Sequence, residues 1–489
     1  MKNLALLLFL LSAAISYGQD KYDASQISSK TKKIVGLIAK ENTVTGRFIG
    51  YSGNESEQYK NFEKLMLAST KELLNLTNHP NGAVRSYAFW ALCFRSNVDL
   101  FGIVKNHMSD TEVVEYQSGC IASGEKVGDF FVRMVTSNYE NPNRKTKTLT
   151  EAQRKELDSL LIYSPNDLSS RYRAIENAEP SEQLYPVLKN LYTTTHNQSA
   201  LLKLSEYKKE TDIPLILSNR EENKDPESGY YYTYKAMQNF PRTEYIPFLE
   251  LRLRETLDET GFSNEWQELY TVIAAFKNQK ALELLSIPLT EVKHNYIKGY
   301  HLDFIYDAVL DNYDPLYAEL LWKIWESGQN INVTGYLFYL ENNLQRAYKQ
   351  TVKEFGIEPA QSYNNLVYNQ DIVTEKLSES MLNLILLNDK KLANEIIKLQ
   401  ILNSDVHGFK TYTAVIKKDK DQIFVKPLLE RFAKENNPHV YLEIAKTLIA
   451  YQDKSINEQI IAVRKLNRGL IEDWGGEELT ELLEKHNIR

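Results

Sequence analysis

The sequence predicts an all-α fold, an open α-solenoid of stacked helical hairpins, and three observations carry that expectation. A turn cluster at Asn78, His79, Pro80, Asn81 and Gly82 runs straight into Val84, Ala88, Ala91 and Leu92, whose spacing of i, i+4, i+7 and i+8 puts them on one helical face. Helix starts marked by proline recur at intervals of 28 and 33 residues and then at 68, twice 34. Alternating apolar and polar runs, the mark of half-buried strands, are scarce along the 489 residues.

At the N-terminus, Lys2, the apolar run 4–11 and the small residues Ser16 and Gly18 resemble a secretory signal, residues 1–18, cleaved before Gln19. The run is shorter than the about 20 residues that a membrane span needs. Its removal leaves 471 residues with 57 basic and 65 acidic side chains, a balance that favours solubility and gives no electrostatic reason to expect nucleic-acid binding. No cysteine stands at the cleavage point to accept a lipid, and no later apolar run reaches spanning length. The expectation is an exported bacterial protein, periplasmic or secreted, without a membrane span. Residues 19–56 then read as a helix plus an irregular cap, because Gly46, Gly50 and Gly53 break any helix within 43–53.

The array is expected over 57–489. A shift of 29 residues lays Asp110, Thr111, Glu112 and Val113 over the segment 81–84, with Tyr116 on Tyr87, Cys120 on Ala91 and Ile121 on Leu92. A looser copy follows Asn437, Pro438 and His439, where Val440, Ile444, Thr447 and Leu448 repeat the same spacing. Pro186, Pro214, Pro247, Pro315 and Pro427 each precede an apolar pair, as prolines do in a first helical turn, where the missing N–H would have no partner anyway. Ala281, midway between Pro247 and Pro315, opens a helix without one. The turn, the small residues on the stripe and Arg85 directly after Val84 resemble the second helix of a HEAT repeat, and the chain resembles HEAT or armadillo-like helical repeat proteins of an exported bacterial type. The opening motif of tetratricopeptide repeats is not found. Periodicity lapses near 137–165 and 355–371, which read as insertions between repeats or boundaries between sub-arrays. Such an architecture implies a concave face along which a protein or peptide partner lies, and it implies little about activity.

Catalytic chemistry is not indicated. His294 and His301, seven residues apart on a helix, sit about 10.5 Å apart along its axis, too far for one zinc ion. Walker, Gly-x-Ser-x-Gly, Cys-x-x-Cys and His-Glu-x-x-His motifs are missing, and no cofactor, metal or catalytic residue is assigned. Glu472, Asp473, Glu477 and Glu478 flank Gly475 and Gly476, a pattern that ends one helix and starts the next. Asn143, Arg144, Lys145 and Lys147 form a basic loop ahead of a capping box at Thr150 and Gln153. Cys93 and Cys120 fall about 200° apart in the repeat register, so both are read as core or groove residues and no bridge is assigned.

The aromatic bias is the remaining signal, with 31 Tyr against 18 Phe. Tyr230, Tyr231, Tyr232 and Tyr234 are its densest cluster and the candidate binding residues, since a tyrosine presents a broad apolar face with a polar tip. Two functions are compatible with these observations. The favoured one is an exported, non-catalytic protein-interaction scaffold; the alternative is an exported carbohydrate-active enzyme in a closed helical toroid, whose paired carboxylates would face an aromatic cleft.

Overall fold

A computed structural model describes residues 21–136, 140–141, 144–222, 224 and 228–488. The expected signal at 1–18 and the cleavage point before Gln19 lie outside the described residues. The chain is mostly helical and divides into two units, Met1–Phe276 and Lys277–Arg489.

The first unit corrects the all-α expectation. The Ser29–Glu41 helix is capped by Ser28, whose hydroxyl accepts from the Thr31 amide, and it stops at Asn42 in the left-handed conformation. From there the chain enters strand β1 (Thr43–Ile49), then β2 (Asn54–Glu55); β3 (Val113–Gly119) and β4 (Ile121–Lys126) follow after four helices, completing a mixed sheet in the order β2-β1-β3-β4. β1 pairs parallel with β3, Thr43 opposite Glu115 and Val44 opposite Tyr116. The segment laid over the first repeat by the 29-residue shift is therefore a hairpin and not a helix. Val113, Val114 and Tyr116 favour the pleated surface, Val114 buries while its neighbours Val113 and Glu115 stay exposed, and Gly119 takes φ +56° in the two-residue turn between Ser118 and Ile121. Cys120 is exposed at that turn, which corrects its assignment to core or groove, while Cys93 is buried.

The Gly82–Leu92 helix is buried throughout. Val84, Ala88 and Leu92 are fully enclosed, and Asn81 caps the helix by accepting from the Val84 amide. Phe62 stacks on Tyr87 and Trp90 at 5.0 and 4.5 Å, and Phe89 stacks on Phe131 at 4.0 Å. The Tyr87 hydroxyl accepts from the Thr45 amide at 2.7 Å, which ties the sheet to this helix.

Beyond the sheet the helices alternate between two layers. Ser170–Asn177, Gln198–Ser205, Tyr231–Asn239 and Glu265–Ala275 stack directly on one another, their starts 28, 33 and 34 residues apart. Leu184–Thr195, Ile213–Ser218 and Ile246–Thr256 pack against that layer, and Pro214 and Pro247 occupy first-turn positions as the sequence predicts. A buried polar network joins the layers: Asn219 donates to Gln198 Oε1 and Thr233 Oγ1 at 2.9 Å each and accepts from the Tyr192 hydroxyl at 3.1 Å. Within 137–165, the Glu151–Tyr163 helix begins at the reciprocal Thr150–Gln153 capping box.

In the second unit, Trp322 and Trp325 pack against Tyr339 at 4.6 and 4.5 Å. Residues 355–369 run without helix or strand. After them the two-layer order returns: Leu377–Asn388, Val406–Asp419, Pro438–Ile449 and Gly476–Lys485 stack in sequence, while Lys390–Asn403, Val425–Phe432 and Lys454–Leu466 form the companion layer. Val440, Ile444, Thr447 and Leu448 all bury between them.

Candidate functional site

The tyrosine cluster begins where the chain turns into the Tyr231–Asn239 helix. Glu265, one layer helix further on, accepts from the Gly229 amide at 3.0 Å and the Tyr230 amide at 3.1 Å, which fixes that helix start. Successive side chains on a helix diverge by about 100°, so Tyr231 and Tyr232 leave in other directions while Tyr230 and Tyr234, four residues apart, come together with ring centroids 6.2 Å apart. Tyr234 is 4% exposed, and its burial pushes the phenol pKa far up. Tyr232 is half-buried, with its phenol raised by burial and then by the Glu176 carboxylate. Tyr231 is exposed and meets Tyr232 edge-on at 5.3 Å. The Tyr230 ring lies under the Arg252 guanidinium at 4.9 Å, and Arg252 Nη1 donates to its hydroxyl at 3.1 Å.

The structure thus gathers only Tyr230 and Tyr234 around one feature. Tyr234 lines a cavity of about 240 Å³, together with Arg252, Glu255, Thr256, Phe262, Glu265 and Trp266, and Tyr230 braces Arg252 at its wall. Two of its three carboxylates are engaged, Glu255 with Arg252 Nη2 at 2.6 Å and Glu265 with the two backbone amides, and Glu259 is the third. The cavity can seat a small polar or aromatic side chain, and two of its three acids, Glu255 and Glu265, are held as structural partners. Tyr231 and Tyr232 stand apart from it.

A second charged constellation surrounds the best repeat signature. Arg85 donates to Asp110 through Nε and Nη2 at 2.8 and 2.9 Å, to Glu112 Oε2 at 2.6 Å, and through Nη1 to the carbonyls of His79 and Pro80 at 2.8 and 3.0 Å. Burial by itself would raise the Asp110 pKa, but hydrogen bonds from His107 and Arg85 outweigh it and hold the carboxyl below the usual range. Every donor of this guanidinium is used, so the cluster locks the turn before the Gly82–Leu92 helix to the chain entering β3.

Compared with known proteins, the chain matches no family model, no curated sequence and no solved structure.

The remaining candidates separate. His294 is exposed just before the Asn295–Asp311 helix, whereas His301 is fully buried within it. Among the described residues no group of three or more His, Cys, Asp or Glu side chains could hold a metal ion, and no helix is long and apolar enough to cross a membrane. Glu477 and Glu478 lie in the first turn of the Gly476–Lys485 helix, where the helix dipole favours them. Arg144 and Lys145 form a two-residue strand, and Lys147 donates to the Ser96 carbonyl. Sequence reasoning missed Arg252 and Glu265 as the partners that organise the tyrosines. Their signal was the repeat period, since Glu265 opens the layer helix that follows theirs.

Proposed function

We propose that this chain is an exported, non-catalytic protein-interaction scaffold built from HEAT-like hairpins of the α-solenoid kind, with a protein or peptide partner lying across successive helices. The observation that carries the reading is the direct stacking of alternate helices in each unit, at starts 28 to 34 residues apart in the first and 29 to 38 in the second. A helical hairpin that buries one face on each neighbour leaves a third edge free, and stacking aligns those edges into a continuous surface. With Glu255 and Glu265 engaged by fixed partners, Glu259 is the one carboxylate of this cavity left to face a substrate, which favours binding over glycosidic chemistry, since that needs two.

The test is site-specific photo-crosslinking in the native cell, with the probe at exposed Tyr231 and, as a control, at exposed Leu466 on a companion-layer helix. A protein adduct of defined mass formed at Tyr231 and not at Leu466 is expected. Release of reducing sugar from bacterial polysaccharide by the purified protein would overturn the scaffold reading in favour of the carbohydrate-active alternative. N-terminal sequencing of protein from the same cells should begin at or near Gln19, and a retained Met1 would refute export.

A further inference from the structure

The third acid of the tyrosine cavity gives that cavity a chemistry which the scaffold reading does not specify. The cavity is bounded by the C-terminal end of the Ile246–Thr256 helix, by the connection that follows it and by the start of the Glu265–Ala275 helix. Pockets for whole small molecules begin at roughly 300 Å³. At about 240 Å³ this one is filled by a single side chain or a small amine.

Most of the charge in its wall is already balanced. Among the described residues Arg252 is the one basic side chain of the lining, and its pairing with Glu255 cancels both; its Nε is enclosed and out of a ligand's reach. Glu265 accepts from the Gly229 and Tyr230 amides and opens its own helix, so it offsets the positive ends of two helices. Glu259 remains. It is half-buried, and among the described residues its carboxylate has neither a hydrogen bond nor an ion pair. The Ile246–Thr256 helix ends at the same wall, where the negative end of its dipole adds to Glu259. The cavity therefore carries one uncompensated negative charge.

The uncharged lining narrows the ligand further. Tyr234 is 4% exposed, and its hydroxyl, kept neutral by burial, has no hydrogen-bond partner among the described residues. Glu265, Arg252 and Glu255, which act on that phenol, all stand on the cavity wall, so the hydroxyl lies at the cavity end of the ring. Buried polar groups normally find a partner, and here a ligand can supply it. Phe262, 45% exposed, and Trp266 add ring surface, whose quadrupole attracts a cation. An ammonium group brings three N–H donors and no acceptor, which suits a carboxylate beside a hydroxyl oxygen. We infer that this cavity binds a primary ammonium group on an alkyl stem, its N–H donors on the Glu259 carboxylate and the Tyr234 oxygen and its stem against Phe262 and Trp266. The stem is a lysine side chain of the protein partner, an identification that rests on the scaffold reading.

Saturation-transfer NMR of ligands titrated against the full chain reads the binding. A capped Ala-Ala-Lys-Ala-Ala peptide should bind with a Kd of about 1 mM or tighter, weakened about tenfold or more by Glu259→Gln and about threefold or more by Tyr234→Phe. The hydroxyl that Tyr234→Phe removes has no partner in the described fold, so the melting temperature should not fall and weaker binding there cannot come from unfolding. Glu259→Gln is checked by circular dichroism. Equal binding of the same peptide with norleucine in place of lysine, or unchanged binding in Glu259→Gln, would overturn the ammonium assignment and leave the scaffold reading standing. Binding at least as tight by the trimethyllysine peptide would also overturn it, because a quaternary cation has no N–H for Glu259 or Tyr234. Binding of butylammonium and of no peptide would support the ammonium site and overturn lysine as its source. No binding of either up to about 10 mM, well above a millimolar Kd, would overturn the site itself, while the crosslinking at Tyr231 tests the scaffold separately.

Discussion

Replacing Arg85 by alanine should unlatch the N-terminal end of the array. The guanidinium is 9% exposed, Asp110 is 8% exposed, and the substitution leaves that carboxylate and the carbonyls of His79 and Pro80 without their donor. Breaking a buried pair from one side costs about 3–5 kcal/mol, which corresponds to a fall in local hydrogen-exchange protection of roughly a hundredfold to several thousandfold. The loss should centre on the Gly82–Leu92 helix and the β3 entry, and exchange measured by mass spectrometry on the full chain resolves it. Its pH dependence is a second signature. The Asp110 pKa is lowered in the folded protein, so its contribution to stability is present above the unfolded carboxylate range and is lost as pH falls through the folded value. In Arg85→Ala, burial stands with less opposition and raises the folded pKa, so the variant loses stability as pH rises through that value. The difference between the two proteins should be widest near neutrality and narrow toward about pH 4. A change in protection below about tenfold, or one that stays constant across that range, would refute the assignment of Arg85 as the latch.

Three further outcomes are expected. Asn219→Ala removes the centre of the network formed with Tyr192, Gln198 and Thr233, and should cost about 2–3 kcal/mol, with protection lost together in Gln198–Ser205 and Tyr231–Asn239; loss confined to one helix would count against a shared joint. Gly475→Ala places a methyl group against the Tyr441 hydroxyl and 2.6 Å from Pro438 Cβ, so it should cost about 1–3 kcal/mol and loosen the Gly476–Lys485 helix; a wild-type denaturation curve would show that the turn has room to give. In the native protein Cys120 should react with a thiol reagent at the rate of a free cysteine while Cys93, buried and with its thiol pKa pushed far up, should react only on unfolding, and modification of both at one rate would mean that the helix ending at Leu92 is open.

The parts of the fold that sequence reasoning reached are those set by local signals. The Val84 stripe, the Asn81 cap, the first-turn prolines 214 and 247 and the Thr150 capping box each depend on residues within a turn or two of one another. The sheet escaped because its defining pair, β1 with β3, joins residues 72 positions apart, and nothing near Thr43 announces Glu115 as its partner. The 29-residue overlay also misled because Asp110, Thr111 and Glu112 resemble a helix start, whereas their carboxylates serve Arg85 and the Gly82 amide across the space between segments. Site residues divide in the same way. Tyr230 and Tyr234 stood out by composition, but Arg252 and Glu265 had to be brought from other helices before a cavity existed.

The parallel pairing of β1 with β3 also fixes an order of events along a chain made from its N-terminus. Thr43 is synthesised 72 residues before Glu115, and closing a loop of that length carries an entropy cost that helical hairpins, with their neighbours close in sequence, largely avoid. β1 can pair early with β2 at Phe48 and Ile49, but the edge that takes β3 waits until the β3–β4 hairpin has emerged. The N-terminal end, first to be made, is then the slow step of its unit, and through that interval it is the segment most in need of protection from pairing with other chains.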